Sequence, residues 1–218
     1  MTPLASVPRD LSLHTTLRGY WSEVAGVAAT IDLASLEDAA MALLSCQARG
    51  RVVFAAGNGG SAATASHFAC DLAKGTRRDG PPTCHVMART DNVPLLTAWA
   101  NDTGYERVFA EQLASLAQPG DVLVAISASG NSPNVLAAAE TARARDLVSI
   151  GLTGRTGGRL ASLVDIVVRA PSDRIEVVED AHLIVAHSLC VAARERLTAC
   201  AHDEIIAQAA IPSRRTGR

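Results

Sequence analysis

Near-continuous runs of apolar, largely β-branched residues, separated by stretches of helical periodicity, restrict this chain to a parallel sheet covered on both faces. The runs are Arg51–Ala56, Asp121–Ile126, Leu147–Leu152 and Val164–Val168, with a weaker one at Cys84–Met87. Between them the spacing predicts helices over 61–74, 106–117, 133–145 and 156–162, and a long final helix over 175–198. Two more helices, 11–30 and 35–48, precede the first strand. Leu13, Leu17, Tyr20, Val24 and Val27 recur at three and four residues, and Leu36, Ala39, Ala40, Leu43 and Leu44 repeat the pattern until Gly50 ends it. Trp21 and Trp99 read as packing residues, and Cys70 as a small core residue.

Composition narrows the function classes. Apolar residues make up 48% and charged residues 19%, so a folded core is expected. The net charge of −2 offers no cationic surface for a nucleic-acid backbone. Of the 20 basic residues only Lys74 is a lysine. No apolar stretch reaches the length of a membrane span, and the first ten residues lack the pattern of a signal peptide. Five cysteines (46, 70, 84, 190, 200) form no CxxC pair, so reduced thiols and a cytoplasmic location are expected.

Two loops carry the chemistry. Gly57-Asn58-Gly59-Gly60-Ser61 directly follows the first strand and opens a helix, where glycines admit close approach and a helix N-terminus favours an anion. It is neither GxGxxG nor GxxxxGK[ST], so dinucleotide and nucleoside triphosphate are not indicated. Ser127-Ala128-Ser129-Gly130-Asn131-Ser132-Pro133 follows another strand; Ser132 reads as an N-cap and Pro133 as the first helical residue. Three hydroxyls beside a helix N-terminus make a phosphate cradle without a lysine. In a doubly wound, flavodoxin-like five-stranded parallel sheet, ligands sit where the strand order reverses. If strands 51–56 and 121–126 are central neighbours, both loops meet there. The alternative is two ordinary strand–helix turns. A single domain is expected at 35–200, with a helical arm at 1–34 and a tail at 201–218. The arm either packs on a partner subunit or covers its own sheet.

The two loops resemble the SIS (sugar isomerase) domain, and more narrowly the phosphoheptose isomerase, or sedoheptulose 7-phosphate isomerase, family. The likeness spans about 12–198 and includes His67-Phe68-Ala69, Asn101-Asp102, Leu152-Thr153-Gly154 with Gly157-Gly158, and His182 with His187. It implies a homotetramer with sites between subunits and interconversion of sedoheptulose 7-phosphate and D-glycero-D-manno-heptose 7-phosphate. It also implies a zinc ion held by His67, Asp71, Glu179 and His187. Substrate groups are implied at Asn58, Gly59, Gly60, Ser61, Asp71, Asn101, Asp102, Ser127, Ala128, Ser129, Asn131, Ser132 and Glu179, with Asp71 and His187 catalytic. Two departures stand out. Asp71 replaces the family's glutamate, and the stretch Arg174–His182 leaves the family's glutamine position to Glu179 or Glu176, with Glu179 in helical register with His187.

An aldose–ketose isomerase needs a base near carbon, an acid near the carbonyl oxygen, and stabilisation of the enediol's charge. His67 and Asp71, four apart, share a helix face. Without Asp71 at that spacing, His67 would read as an ordinary packed histidine; Asp71 could instead face Arg77 or Arg78. Glu179 and His187 are about 12 Å apart along a helix, so their side chains must reach toward each other. His182 lies about 140° around the helix from His187 and reads as structural or at an interface. A non-catalytic SIS protein, such as a replication-initiation regulator, and an isomerase of another sugar phosphate are the competing readings.

Overall fold

The computed structural model describes residues 11–77 and 83–209. Helices α1 (Leu11–Ala29) and α2 (Leu33–Ala48) precede a sheet of β1 (Val52–Gly57), β2 (His85–Ala88), β3 (Val122–Ser127), β4 (Val148–Thr153) and β5 (Ile166–Arg169). Between and after the strands lie α3 (Gly60–Gly75), α4 (Val93–Thr103), α5 (Val108–Leu116), α6 (Pro133–Ala144) and α7 (Ile175–Ala209). The strand order is β2-β1-β3-β4-β5 and every pairing is parallel. The winding reverses between β1 and β3, as the expected doubly wound topology requires.

Alternation within strands feeds two cores. Val53, Ala55, Val122, Val124, Ile126, Ile150 and Leu152 face α2, α3 and α7. Phe54, Ala56, Leu123 and Ala125 face α5 and α6. Both faces are covered, which is why these strands read as unbroken apolar runs.

Several expectations are corrected. Residues 156–162 form only a 3₁₀ turn at Leu160–Ser162, because Gly157 and Gly158 adopt φ of 76° and 53°. Helix α4 was not anticipated: it fully buries none of its residues, and its short stripe of Leu96, Trp99 and Ala100 packs only partly buried against the second core. Its start is nevertheless encoded, since Asn92 Oδ1 accepts the Leu95 N–H at 3.1 Å and Pro94 sits in the first turn. Trp21 is 69% exposed rather than packed, and Cys70 is exposed rather than in the core. The final helix continues to Ala209, through residues 201–209 of the expected tail; residues 210–218 lie outside the described residues.

The arm rests on α7 of its own chain rather than on the sheet. Val24 and Val27 are buried, the Tyr20 hydroxyl donates to Asp180, and Arg174 Nη1 donates to Glu23 Oε2 at 2.9 Å. Leu13 and Leu17, on the half of the predicted face farther from the sheet, are exposed.

One buried histidine ties α7 to the sheet. His182 is 1% exposed, and its Nε2–H donates to the Thr153 carbonyl at the end of β4, 3.1 Å away. Burial pushes its pKa down to about 4, against a small opposing effect of that carbonyl. This bears out the structural reading of His182. In the unfolded chain the imidazole protonates near its ordinary value of about 6.5. Between those values the unfolded state therefore binds one more proton, and stability falls as pH drops from about 6.5 to about 4, by about 1.4 kcal/mol per pH unit. Above that window the contribution is flat. His182→Gln, which keeps an N–H donor but does not titrate, is expected to flatten the urea-unfolding midpoint between pH 7 and 5 relative to wild type; parallel curves would refute the assignment.

Candidate functional site

The two loops meet at the switch point. Gly57 pairs in register with Ile126, one residue before the serine loop begins. Beyond the sheet, Asn58 and Asn134 exchange amide hydrogen bonds, each Nδ2–H donating to the other's Oδ1 at 2.8 Å. The Tyr105 hydroxyl also donates to Asn58 Oδ1, at 3.0 Å. Asn134 is 2% exposed, so this clasp is a buried polar network with its amides mutually satisfied. Asn134 and Tyr105 were not foreseen; the only signal was an asparagine in the first turn after the serine loop.

The serine loop turns its three hydroxyls toward one another, and one of them also accepts a backbone N–H. Ser127 Oγ lies 3.0 Å from Ser132 Oγ and 3.5 Å from Ser129 Oγ, while Ser129 Oγ accepts the Asn131 N–H at 3.1 Å and keeps its proton to donate. Ser132 occupies the N-cap position of α6 but makes no side-chain capping bond, contrary to the sequence reading, so the first-turn N–H groups carry no side-chain cap. The loop is braced from behind by the 154–158 turn. Gly154 N–H donates to Ala128 O and Leu160 N–H to Gly130 O, both at 2.9 Å. A Cβ on Gly130, whose φ is 63°, would stand 2.1 Å from the Gly157 carbonyl oxygen. Asn131 belongs to this bracing: its Nδ2–H donates to Ser129 O at 2.9 Å and its Oδ1 accepts the Arg159 N–H at 3.1 Å. Both ends of its amide are engaged, which argues against the substrate contact expected of it.

The glycine loop differs from expectation in what it holds. Helix α3 begins without a side-chain cap at Gly59. The carboxylate of Glu179 from α7 lies against Gly60, close enough that a Cβ there would be 2.4 Å from Oε2. The anion at this helix N-terminus is thus the chain's own, favourable against the helix dipole.

Farther along α3 and α7 a second group assembles. His67 Nε2, His187 Nε2 and Asp71 Oδ2 form a triangle with edges of 3.1 Å (His67–His187), 3.1 Å (His67–Asp71) and 3.5 Å (His187–Asp71). The imidazoles meet edge to face, and all three groups are between a third and a half exposed. Zinc bound tetrahedrally through bonds of about 2.0–2.1 Å separates its ligands by about 3.3 Å, and catalytic sites use three protein ligands with one position open. This donor set fits that description. Glu179 is not part of the triangle: it sits two helical turns earlier, at Gly60, so the expectation of four converging ligands is corrected to three. Asp71 faces the two histidines rather than Arg77. Asn101 and Asp102 bond to each other at the exposed end of α4, and among the described residues neither bonds to the loops or the triangle. Ser61 is buried at the start of α3, tight against Gly57.

The chain is similar to known proteins in sequence and in fold. Residues 20–154 match the family model described as SIS domain. The chain is 40% identical over 172 residues to a phosphoheptose isomerase of Alteromonas mediterranea, covering 78% of this chain and 86% of that one. It is 42% identical over 159 residues to one from Shewanella loihica, covering 72% and 80%. The solved phosphoheptose isomerase of Neisseria gonorrhoeae superposes with a TM-score of 0.78 at 33% identity, covering 84% of this chain and 99% of that chain. That of Francisella tularensis gives 0.77 at 32%, covering 84% and 97%.

The amide clasp is open to a near-isosteric test. Asn134→Asp replaces a donor by a carboxylate oxygen facing Asn58 Oδ1. A loss of about 1–3 kcal/mol in urea unfolding is expected from the unpaired buried acceptors, and a variant as stable as wild type would show that the clasp contributes nothing.

Proposed function

We propose that this chain, which belongs to the phosphoheptose isomerase family of SIS-domain proteins, interconverts sedoheptulose 7-phosphate and D-glycero-D-manno-heptose 7-phosphate through an enediol. It is a sugar-phosphate isomerase with a five-stranded parallel SIS fold. The observation that carries the mechanism is the placing of a hydroxyl cradle and a His–Asp–His triangle on neighbouring elements. The phosphate rests on Ser127, Ser129 and Ser132 and the first turn of α6, with Ala128 and the Gly59–Gly60 backbone beside it. From Gly60 to His67 the axis of α3 rises about 10 Å, a span suited to an extended seven-carbon chain.

In this reading, with no metal bound, Asp71 takes the proton from one of C1 and C2 and returns it to the other, while His187 protonates the carbonyl oxygen and takes the proton of the hydroxyl that becomes the new carbonyl. His67, held at 3.1 Å by both partners, orients them. His67, Asp71 and His187 would hold one zinc ion per chain; when bound, it supplies polarisation of the substrate oxygens and offsets the enediol's charge. Glu179 lines the glycine loop, fixing the start of α3. The arm at 1–34 is assigned to contacts between subunits of a homotetramer, supported by the exposed Leu13, Leu17 and Trp21. Asn101 and Asp102, exposed at the end of α4, are assigned to a site shared across such contacts. Residues 35–200 form the catalytic domain. No helix among the described residues is long and apolar enough to cross a membrane, and a cytoplasmic location completes the proposal.

A coupled assay with sedoheptulose 7-phosphate is expected to show turnover that falls about 10²- to 10⁴-fold in His187→Ala. Metal analysis is expected to find about one zinc per chain in wild type and its loss in His67→Ala. Sugar-phosphate binding without turnover would overturn the enzyme reading, and turnover of a different ketose phosphate would overturn the substrate.

A further inference from the structure

We infer that the cavity beyond the His–Asp–His triangle is a second anion subsite, formed by Lys74 and Arg194, which admits a sugar phosphate carrying an additional phosphate on C1. The inference rests on the proposed isomerase reading, because that reading sets the direction in which the substrate lies. Helices α3 and α7 run side by side in parallel, with Gly60 beside Glu179 and His67 beside His187. Seven residues after each histidine comes a cation: Lys74 after His67, and Arg194 after His187. Seven residues are nearly two full turns, so each cation lies on the same face as its histidine, about 10 Å farther along the axis. Side chains on a helix lean toward its N-terminus, which inclines both cations back toward the triangle.

Lys74 and Arg194 line one cavity of about 370 Å³, whose wall also includes Asp71 and His187. Its wall carries one carboxylate, Asp71, and two cations, Lys74 and Arg194. With the 7-phosphate on the serine loop and C1–C2 at the triangle, this cavity lies past C1. The monophosphate has only a hydroxyl to place there. A phosphate esterified to that oxygen would meet both cations, charge-assisted hydrogen bonds being among the stronger polar contacts. Lys74 is the one lysine among 20 basic residues. The last turn of a helix favours any cation, which arginine would satisfy equally; a compact ammonium differs in acting as a point charge on phosphate. With O1 esterified, C1 cannot become the aldehyde, so such a ligand occupies the site without reacting. Its role would be inhibition by a doubly phosphorylated sugar.

The probe is sedoheptulose 1,7-bisphosphate, compared with sedoheptulose 7-phosphate by calorimetry on the full chain. Wild type is expected to bind the bisphosphate at least tenfold more tightly. In Lys74→Met that ratio is expected to fall to near one, whatever happens to either affinity alone, and Lys74→Arg is expected to restore part of it. An independent readout uses wild type only. An amine-reactive reagent labels Lys74 and the α-amino group, and peptide mapping is expected to show Lys74 protected by the bisphosphate and not by the monophosphate. A ratio near one in wild type, an unchanged ratio in Lys74→Met, or equal protection by the two ligands overturns the inference. If wild type binds and isomerises the monophosphate while the ratio is one, the subsite alone fails; if it neither binds nor isomerises the monophosphate, the isomerase reading fails with it.

Discussion

Every functional group described above depends on how α7 lies along α3. Ala65, Phe68 and Leu72 of α3 and Val185, Ala186, Leu189 and Cys190 of α7 are buried in one cluster, with small residues letting the backbones approach. Truncating a buried phenylalanine such as Phe68 costs about 3–5 kcal/mol, whereas exposed ionic contacts like those of the triangle contribute about 1 kcal/mol or less. Packing therefore sets the register and the polar groups accept it. The same seam presents Glu179 to Gly60, His187 to His67 and Arg194 to the level of Lys74. A slip of one turn would misalign all three pairings at once. His182 anchors the seam from below, through the last residue of β4, and Thr153 is followed by Gly154, whose N–H braces the serine loop. The helix that carries His187 is thereby referenced to the loop that would carry the phosphate.

The electrostatic layout follows from this geometry. A helix N-terminus attracts an anion, and two are available where β1 and β3 end. Glu179 occupies the one at α3. The one at α6 carries no side-chain cap and is ringed by the hydroxyls of Ser127, Ser129 and Ser132. In the proposed reading the phosphate takes the α6 end of the crevice and the sugar extends toward the triangle. The bracing of the serine loop by backbone packed directly on backbone at Gly130 and Gly158 leaves no room for a side chain at either position. Such contact keeps the cradle formed before the ligand arrives, reducing the ordering cost of binding.

Much of the fold was legible because buried parallel strands write themselves as short apolar runs, and observed limits fall within one or two residues of those expected. The loops were legible because glycine and serine at strand ends have few other uses. What failed did so for identifiable reasons. Helix α4 lies on the surface, and its stripe is limited to Leu96, Trp99 and Ala100, each only partly buried. Trp21 shares its helix with Val24 and Val27, but periodicity does not say which part of a long amphipathic helix finds a partner within the chain. The resemblance drew Glu179 into the ligand set, although the eight-residue spacing to His187 already placed it two turns away; the spacing was the better guide. Ser132 has the sequence of an N-cap and the position of one, yet its hydroxyl turns to Ser127, a choice between two local partners that no one-dimensional pattern resolves. The Asn58–Asn134 clasp joins residues 76 apart, and nothing near either residue announces the other.

The replacement of the family's glutamate by Asp71 bears on how the proposed chemistry is arranged. Aspartate is shorter by one methylene, yet its Oδ2 still reaches both imidazoles, at 3.1 and 3.5 Å. The shorter arm therefore does not open the triangle. With Oδ2 against both imidazoles, the proposed proton transfer between C1 and C2 falls to Oδ1. Asp71 and His187 share one cavity wall with Lys74 and Arg194, so in the proposed reading the base and the two cations address the same end of the sugar.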